Sequence, residues 1–151
     1  MIYLLDTNIV LAYLNRSAIS EFLNLQYQPL SSENRVCISA VTIGELKSIS
    51  IQSNWGKKRI EDLNALLELF TIVDINISPL IQLYAEIDAF SQNKLPEKHL
   101  GMSARNMGKN DLWIAATAPY MEANLLTTDK DFDHLHGQFV EVIWIDPNLY
   151  K

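Results

Sequence analysis

Several carboxylates stand where runs of apolar residues end. Asp6 closes MIYLL (1–5), Asp129 follows ANLLTT (123–128) and Asp146 follows FVEVIWI (139–145), while Asp74 lies within LFTIVDI (69–75). Two more acids fall on apolar stretches of helical character: Glu45 in AVTIGELKSI, and Asp111 at the opening of NDLWIAATA. A carboxylate in apolar surroundings is costly unless it is hydrogen-bonded, paired or bound to a cation. Cation binding is therefore the chemistry that would use several of these acids at once. Each has an ordinary structural role when taken alone. Asp111 in a first helical turn would oppose the helix dipole. Asp6, before Thr7 and Asn8, suits a turn or cap, and Asp129 in TDKD suits an N-cap. Glu45 is harder to place, because the nearest basic residue is Lys47, and residues two apart on a helix do not face each other.

Other catalytic schemes find little support. The three histidines are His99, His134 and His136. The pair His134 and His136 lacks a third His or Cys ligand, so both are expected to be solvated rather than metal-bound. Cys37, the only cysteine, lies in a buried-strand pattern and is expected to act as a small hydrophobe. There is no G-x-S-x-G element for a serine hydrolase. Neither GxGxxG nor GxxxxGK[ST] occurs to cradle phosphates. Trp55, Trp113 and Trp144 are expected in the core or at an interface rather than as base-stacking platforms.

Positioning such acids requires a framework, and the chain supplies one. The runs at 1–5, 35–41, 69–75, 123–128 and 139–145 read as strands buried on both faces of a parallel sheet. Helical spacing links Ile60, Leu63, Leu66, Leu67 and Phe70, and also Leu80, Leu83, Tyr84, Ile87 and Phe90. Ser78 is the expected N-cap of the second of these, with Pro79 at its first position. Thr42 to Ile51 reads as a helix. Another starts from Asn110 as N-cap, with a kink or early end near Thr117 because Pro119 removes a hydrogen bond. The alternation predicts a three-layer α/β/α domain with a central, mostly parallel five-stranded sheet. In such sheets ligands collect beyond the carboxyl ends of the strands. Residues 91–109, with Pro96, Gly101 and Gly108, read as a surface loop.

At 151 residues the chain suits a single domain over 1–151 that needs no disulfide or structural metal to fold. One cysteine fits a reducing compartment. The start MIYLLDTNIV lacks a basic region and reaches Asp6 too soon for a secretory signal, and no apolar run of about 18 residues is present to span a membrane. A cytoplasmic protein is expected.

Four segments, LLDTNIVLAYL (4–14), SAVTIGELKSI (39–49), NDLWIAATA (110–118) and LLTTDKDFDHL (125–135), occur in an order that resembles the PIN-domain family, most closely its VapC-type ribonuclease toxins. The resemblance implies that Asp6, Glu45, Asp111 and Asp129 form the catalytic acids, with Asp6, Asp111 and Asp129 as metal ligands. Thr7, Asn8 and Thr127 match supporting polar positions that orient the carboxylates. It further implies a homodimer and a protein antitoxin. Residues 15–34 and 91–109 match no family motif. Four acids brought together repel and need a divalent cation to stay ionised. All-oxygen ligands suit Mg²⁺ or Mn²⁺ rather than zinc, and such a cation can supply an activated water to attack an RNA phosphodiester. Asp129, not Asp131, is the expected fourth acid: the strand ANLLTT delivers it to the carboxyl edge of the sheet, and if the following stretch is helical, residues two apart point about 200° apart. That leaves Asp131 to cap the helix, meet solvent or help through a water.

The net charge of −6 looks unfavourable for an RNA partner, but the four site acids carry most of it. Lys94, Lys98, Arg105 and Lys109 cluster just before Asp111 and are candidates to guide phosphates. A solvated loop is the plainer reading of that cluster. Two rival functions remain: a non-catalytic PIN-like module binding RNA or protein, and a structure-specific DNA nuclease.

Overall fold

The computed structural model describes residues 1–150. Its strands are β1 (Ile2–Leu5), β2 (Arg35–Ser39), β3 (Thr71–Val73), β4 (Asn124–Thr127) and β5 (Glu141–Trp144). All pair in parallel, in the order β3-β2-β1-β4-β5. The chain therefore builds outward from β1 in one direction, then crosses back to add β4 and β5 on the other side. β1 and β4 meet at the point where the strand order reverses, which is where open α/β sheets open a crevice.

Alternation along the strands makes two cores. Tyr3 and Leu5 of β1, Val36 and Ile38 of β2, and Leu126 of β4 face one side. There they meet Ile9, Val10 and Tyr13 of α1 (Thr7–Leu14), Leu23 of α2 (Ala18–Gln26), Leu46 of α3 (Ala40–Gln52) and Leu63 of α4 (Lys57–Leu67). Leu4, Cys37 and Leu125 face the other side, against Leu80, Ile87 and Phe90 of α5 (Ser78–Ser91) and Leu112, Ile114 and Ala115 of α6 (Lys109–Met121). Adjacent residues thus bury into opposite layers, as a period of two requires. The expected three-layer architecture is present, and the sheet is wholly parallel.

The elements depart from the sequence reading in several places. The apolar runs overstate the strands: Ala40 and Val41 already belong to α3, and β3 stops at Val73, so Asp74 lies beyond it. There Asp74 accepts the Asn76 amide at 3.0 Å and caps a turn. Asp146 does the same for Asn148 at 2.9 Å. Ile77 rather than Ser78 precedes α5, and Gly108 rather than Asn110 precedes α6. Pro119 does not end α6 near Thr117. It forgoes a single amide donor, which the neighbouring bonds of the helix tolerate, and the helix stops only after Met121, where Glu122 turns left-handed at φ 53°. α1 and α2 were not anticipated as helices. Cys37 is buried, as its strand pattern required, and burial pushes its thiol up to about 11. No helix among the described residues is long and apolar enough to cross a membrane.

Candidate active site

Asp6 leaves the end of β1 with its amide still in the sheet, donating to Leu126 at 3.0 Å. It is also the N-cap of α1, with extended backbone (φ −69°, ψ 160°). Its Oδ1 accepts the Thr7 amide at 2.8 Å, and its Oδ2 accepts the Thr127 hydroxyl at 2.7 Å. The side chain is only 6% exposed, and burial raises its pKa; the Thr127 and Thr7 bonds oppose that rise, and the nearby charges of Glu45 and Asp129 add to it.

Thr7 links two elements. Its hydroxyl donates to Glu45 Oε1 at 2.8 Å, and the hydroxyl of fully buried Thr42 lies 3.4 Å from it. Glu45 is half-buried one turn into α3, so a threonine at the start of α1 sets its direction. Thr127 acts at β4 as Thr7 does at β1: while donating to Asp6 it accepts the Asp129 amide at 3.0 Å. Asn8 sits farther out, with its amide 3.5 Å from the Thr128 hydroxyl on the exposed rim.

The other acids meet across the crevice. Asp111, in the first turn of α6, offers a carboxylate oxygen to a group completed by Asp129 and Asp131, with the three oxygens within 4.8 Å of one another. Burial, then the charges of Asp6, Asp129, Glu45 and Asp131, push Asp111 up to about 7, and no hydrogen bond acts to lower it. Among the described residues no Lys, Arg or His pairs with any of these acids; the ion pairs present are Lys57–Glu61, Lys58–Asp62 and His136–Glu141. Hard oxygen donors, mutually repelling and without a cationic side chain, are the donor set of a site for Mg²⁺ or Mn²⁺.

Asp131 thus stands beside Asp129 in the group rather than opposite it. The two residues do not share a helix. Asp129 instead precedes a 3₁₀ segment (Lys130–Leu135) in extended conformation (φ −98°, ψ 129°) and accepts the Asp131 amide at 2.9 Å. This asparagine-like turn folds the two carboxylates onto one side. Asp133, on the same segment, is not in the group. Asp6 and Glu45 border the group electrostatically, as the shift of Asp111 records, but are outside the three closest oxygens.

The basic cluster divides. Arg105, with Asn106 and Met107, borders a hollow of about 50 Å³ against Asp131, and Lys109 begins α6 two residues before Asp111. Lys94 is exposed just past α5. Lys98 is occupied: its ammonium donates to the Gln138 carbonyl at 2.9 Å and lies 4.5 Å from the Phe139 ring centroid.

His134 is not solvated. It is 7% exposed, stacks on Phe90 and places Nε2 2.8 Å from the Ser91 hydroxyl, tying the 3₁₀ segment to the end of α5. Burial, with the charge of Arg105, lowers its pKa. The tryptophans are half-buried packing residues: Trp113 lies against Tyr84, Trp55 carries the Arg59 guanidinium, and Trp144 donates its indole N–H to the Thr128 carbonyl at 3.0 Å.

A five-stranded parallel sheet with acids from four of its connections converging at the β1–β4 crevice defines a class of fold and site, and comparison with known proteins agrees. The PIN domain model matches residues 3–138, and the chain belongs to the PIN-domain family. Ribonuclease VapC2 of Rickettsia felis is 29% identical over 142 residues, which cover 93% of this chain and 97% of the relative. The crystal structure of VapBC2 from Rickettsia felis bound to a DNA fragment from their promoter is similar with a TM-score of 0.72 at 25% identity, over 97% of this chain and 100% of that one. The structure of VapBC-1 from nontypeable Haemophilus influenzae gives a TM-score of 0.70 at 26% identity, over 95% and 98% of the two chains.

Proposed function

We propose that the protein is a Mg²⁺- or Mn²⁺-dependent endoribonuclease, the toxin of a toxin–antitoxin pair. The observation that carries this is the cluster of carboxylates without a cationic side chain, in which Asp111 is pushed up to about 7. The likeness to a VapC ribonuclease favours RNA over DNA, and the likeness to toxins solved as VapBC complexes supports a protein antitoxin. A homodimer and a cytoplasmic location complete the reading.

Asp111, Asp129 and Asp131 would hold the cation, with the charge of Asp6 nearby. When bound, such a cation supplies Lewis-acid stabilisation and a water of lowered pKa for in-line attack on a phosphodiester. Thr7 and Thr127 keep Asp6 oriented, so its negative charge stays in place without reorganisation during reaction. Thr7 also holds Glu45 through Oε1, which leaves Oε2 free to accept a proton from the attacking water. Arg105 and Lys109 attract the RNA backbone toward the acids. Binding a cation there would require Asp111 in its ionised form, so binding would be linked to proton release.

The test sets RNA and DNA oligonucleotides side by side, with Mg²⁺, with Mn²⁺ and with EDTA. RNA cleavage that EDTA abolishes and Mn²⁺ restores is expected. Full activity in EDTA contradicts the proposal, cleavage of DNA alone makes the protein a DNA nuclease, and the absence of Mn²⁺ binding makes it a binding module.

A further inference from the structure

A groove of about 520 Å³ runs from Glu45 along α3, lined by Val41, Gly44, Ser48, Ile49 and, from α6, Asn110. Gly44 is its unusual member. It sits inside α3, where glycine is less favourable than alanine because it loses more backbone freedom on folding. Nothing in the protein demands it: a Cβ built there meets no atom within 4 Å. Nor is its φ positive, since the only left-handed glycines among the described residues are Gly101 and Gly137. A helix that gives up stability at an exposed position without an internal contact to gain leaves room for something from outside.

We propose that this groove receives the nucleobase next to the scissile phosphate, with Gly44 as its floor and Ser48 and Asn110 reading the base edge. The proposal rests on the endoribonuclease reading. Gly44 adjoins Glu45 and Asn110 adjoins Asp111, so an occupant of the groove is continuous with whatever lies at the acids. Val41 and Ile49 are half-buried and offer apolar surface, as the faces of a base require. The Ser48 hydroxyl accepts from Gln52 at 2.8 Å, which leaves its own proton to donate, and the exposed Asn110 amide offers a donor and an acceptor side by side. Apolar faces with polar edges are what an unstacked RNA base presents, and single-stranded RNA is read in this way. Its volume lies in the range of small-molecule sites.

Gly44→Ala, Gly44→Leu and Asn110→Ala test it in the full chain. Probes are labelled random-sequence RNA decamers, bound with Ca²⁺ in place of Mg²⁺ and cleaved with Mg²⁺. Gly44→Ala should raise the Tm by about 2–4 °C, the shift of one helix-propensity step in a chain of this size. Gly44→Leu should weaken decamer binding and lower kcat/KM at least tenfold, with Mn²⁺ affinity within twofold of wild type. Asn110→Ala should change which base is preferred beside the cut. Wild-type binding and cleavage pattern in Gly44→Leu overturns the groove and leaves the nuclease reading intact. Gly44-dependent binding without cleavage by any form keeps the groove and overturns the nuclease. A change of oligomeric state in Gly44→Leu with RNA binding unaltered assigns the groove to a second copy and overturns the proposal.

Discussion

The two sides of the acidic crevice hold the same kind of residue in opposite condition. On the β1 side, both oxygens of Asp6 and one of Glu45 are occupied by donors from Thr7 and Thr127, behind which lies buried Thr42. On the α6 side, Asp111 has only neighbours that repel it, and Asp131 is exposed. Asp129 is intermediate, held by its own turn. The β1 side is thus finished by the protein, whereas the α6 side needs a cation. A carboxylate that accepts two hydrogen bonds supports the fold as well as the site, while one surrounded by charge opposes folding until its ligand binds.

Substitutions should separate the two sides. The largest effect is expected for Asp111→Asn, which should lower RNA cleavage at least a thousandfold, about 4 kcal/mol of barrier, while the metal-free Tm at pH 8 holds or rises. Calorimetry in EDTA beside a cleavage assay measures both, and a clear fall in Tm would make Asp111 a structural partner. Asp6→Ala should also abolish cleavage but should destabilise, by about 1–2 kcal/mol for the lost cap, read from urea unfolding. Relief of charge is thus expected to outweigh lost contacts at Asp111 but not at Asp6, whose oxygens are engaged in the fold. Equal Tm changes for the two variants would erase the distinction between the sides.

Smaller effects grade the open side. Asp129→Ala should lose at least tenfold in rate, about 1.4 kcal/mol, and Asp131→Ala several-fold in Mn²⁺ affinity, since Asp131 is the more exposed ligand. An unchanged affinity in Asp131→Ala would return it to solvent. A further contrast lies in the pH dependence. Folding raises Asp111 from 3.8 to about 7, so in that window the folded apo protein keeps a proton that the unfolded chain has lost. Its contribution to stability is complete below the lower value and is lost as pH rises through the upper one. In EDTA the urea midpoint of the wild type should fall relative to that of Asp111→Asn from pH 5 to pH 8, the comparison cancelling the opposite contribution of His134, whose pKa folding lowers; parallel pH profiles for the two proteins would refute the raised pKa.

Much of this was legible in the residues. Apolar runs ending in acids marked the strands and the edge where Asp6 and Asp129 stand, because a parallel sheet buries both faces and delivers its loops to one end. The partnership of Thr7 and Thr127 with Asp6 followed from motif position. Asp131 ranked behind Asp129 because its placement beside that residue depends on a turn closed by the Asp129 side chain, which periodicity does not report. Thr42 and the buried His134 were missed for a related reason: polar residues in helical or 3₁₀ stretches read as solvated unless their distant partners, Thr7 and Ser91, are known. α1 carried a usable signal in Asp6 as cap followed by Ile9, Val10 and Tyr13, which the strand-end reading of Asp6 obscured.

On this account a divalent cation completes the α6 side of the crevice and displaces a proton from Asp111. Titration calorimetry with Mn²⁺, repeated in buffers of different ionisation enthalpy, measures affinity and proton release together. Mn²⁺ binding is expected to release close to one proton at pH 6 and almost none at pH 8.5, with affinity rising up to about tenfold per pH unit below 7. No binding, or binding at pH 6 without proton release, would contradict it.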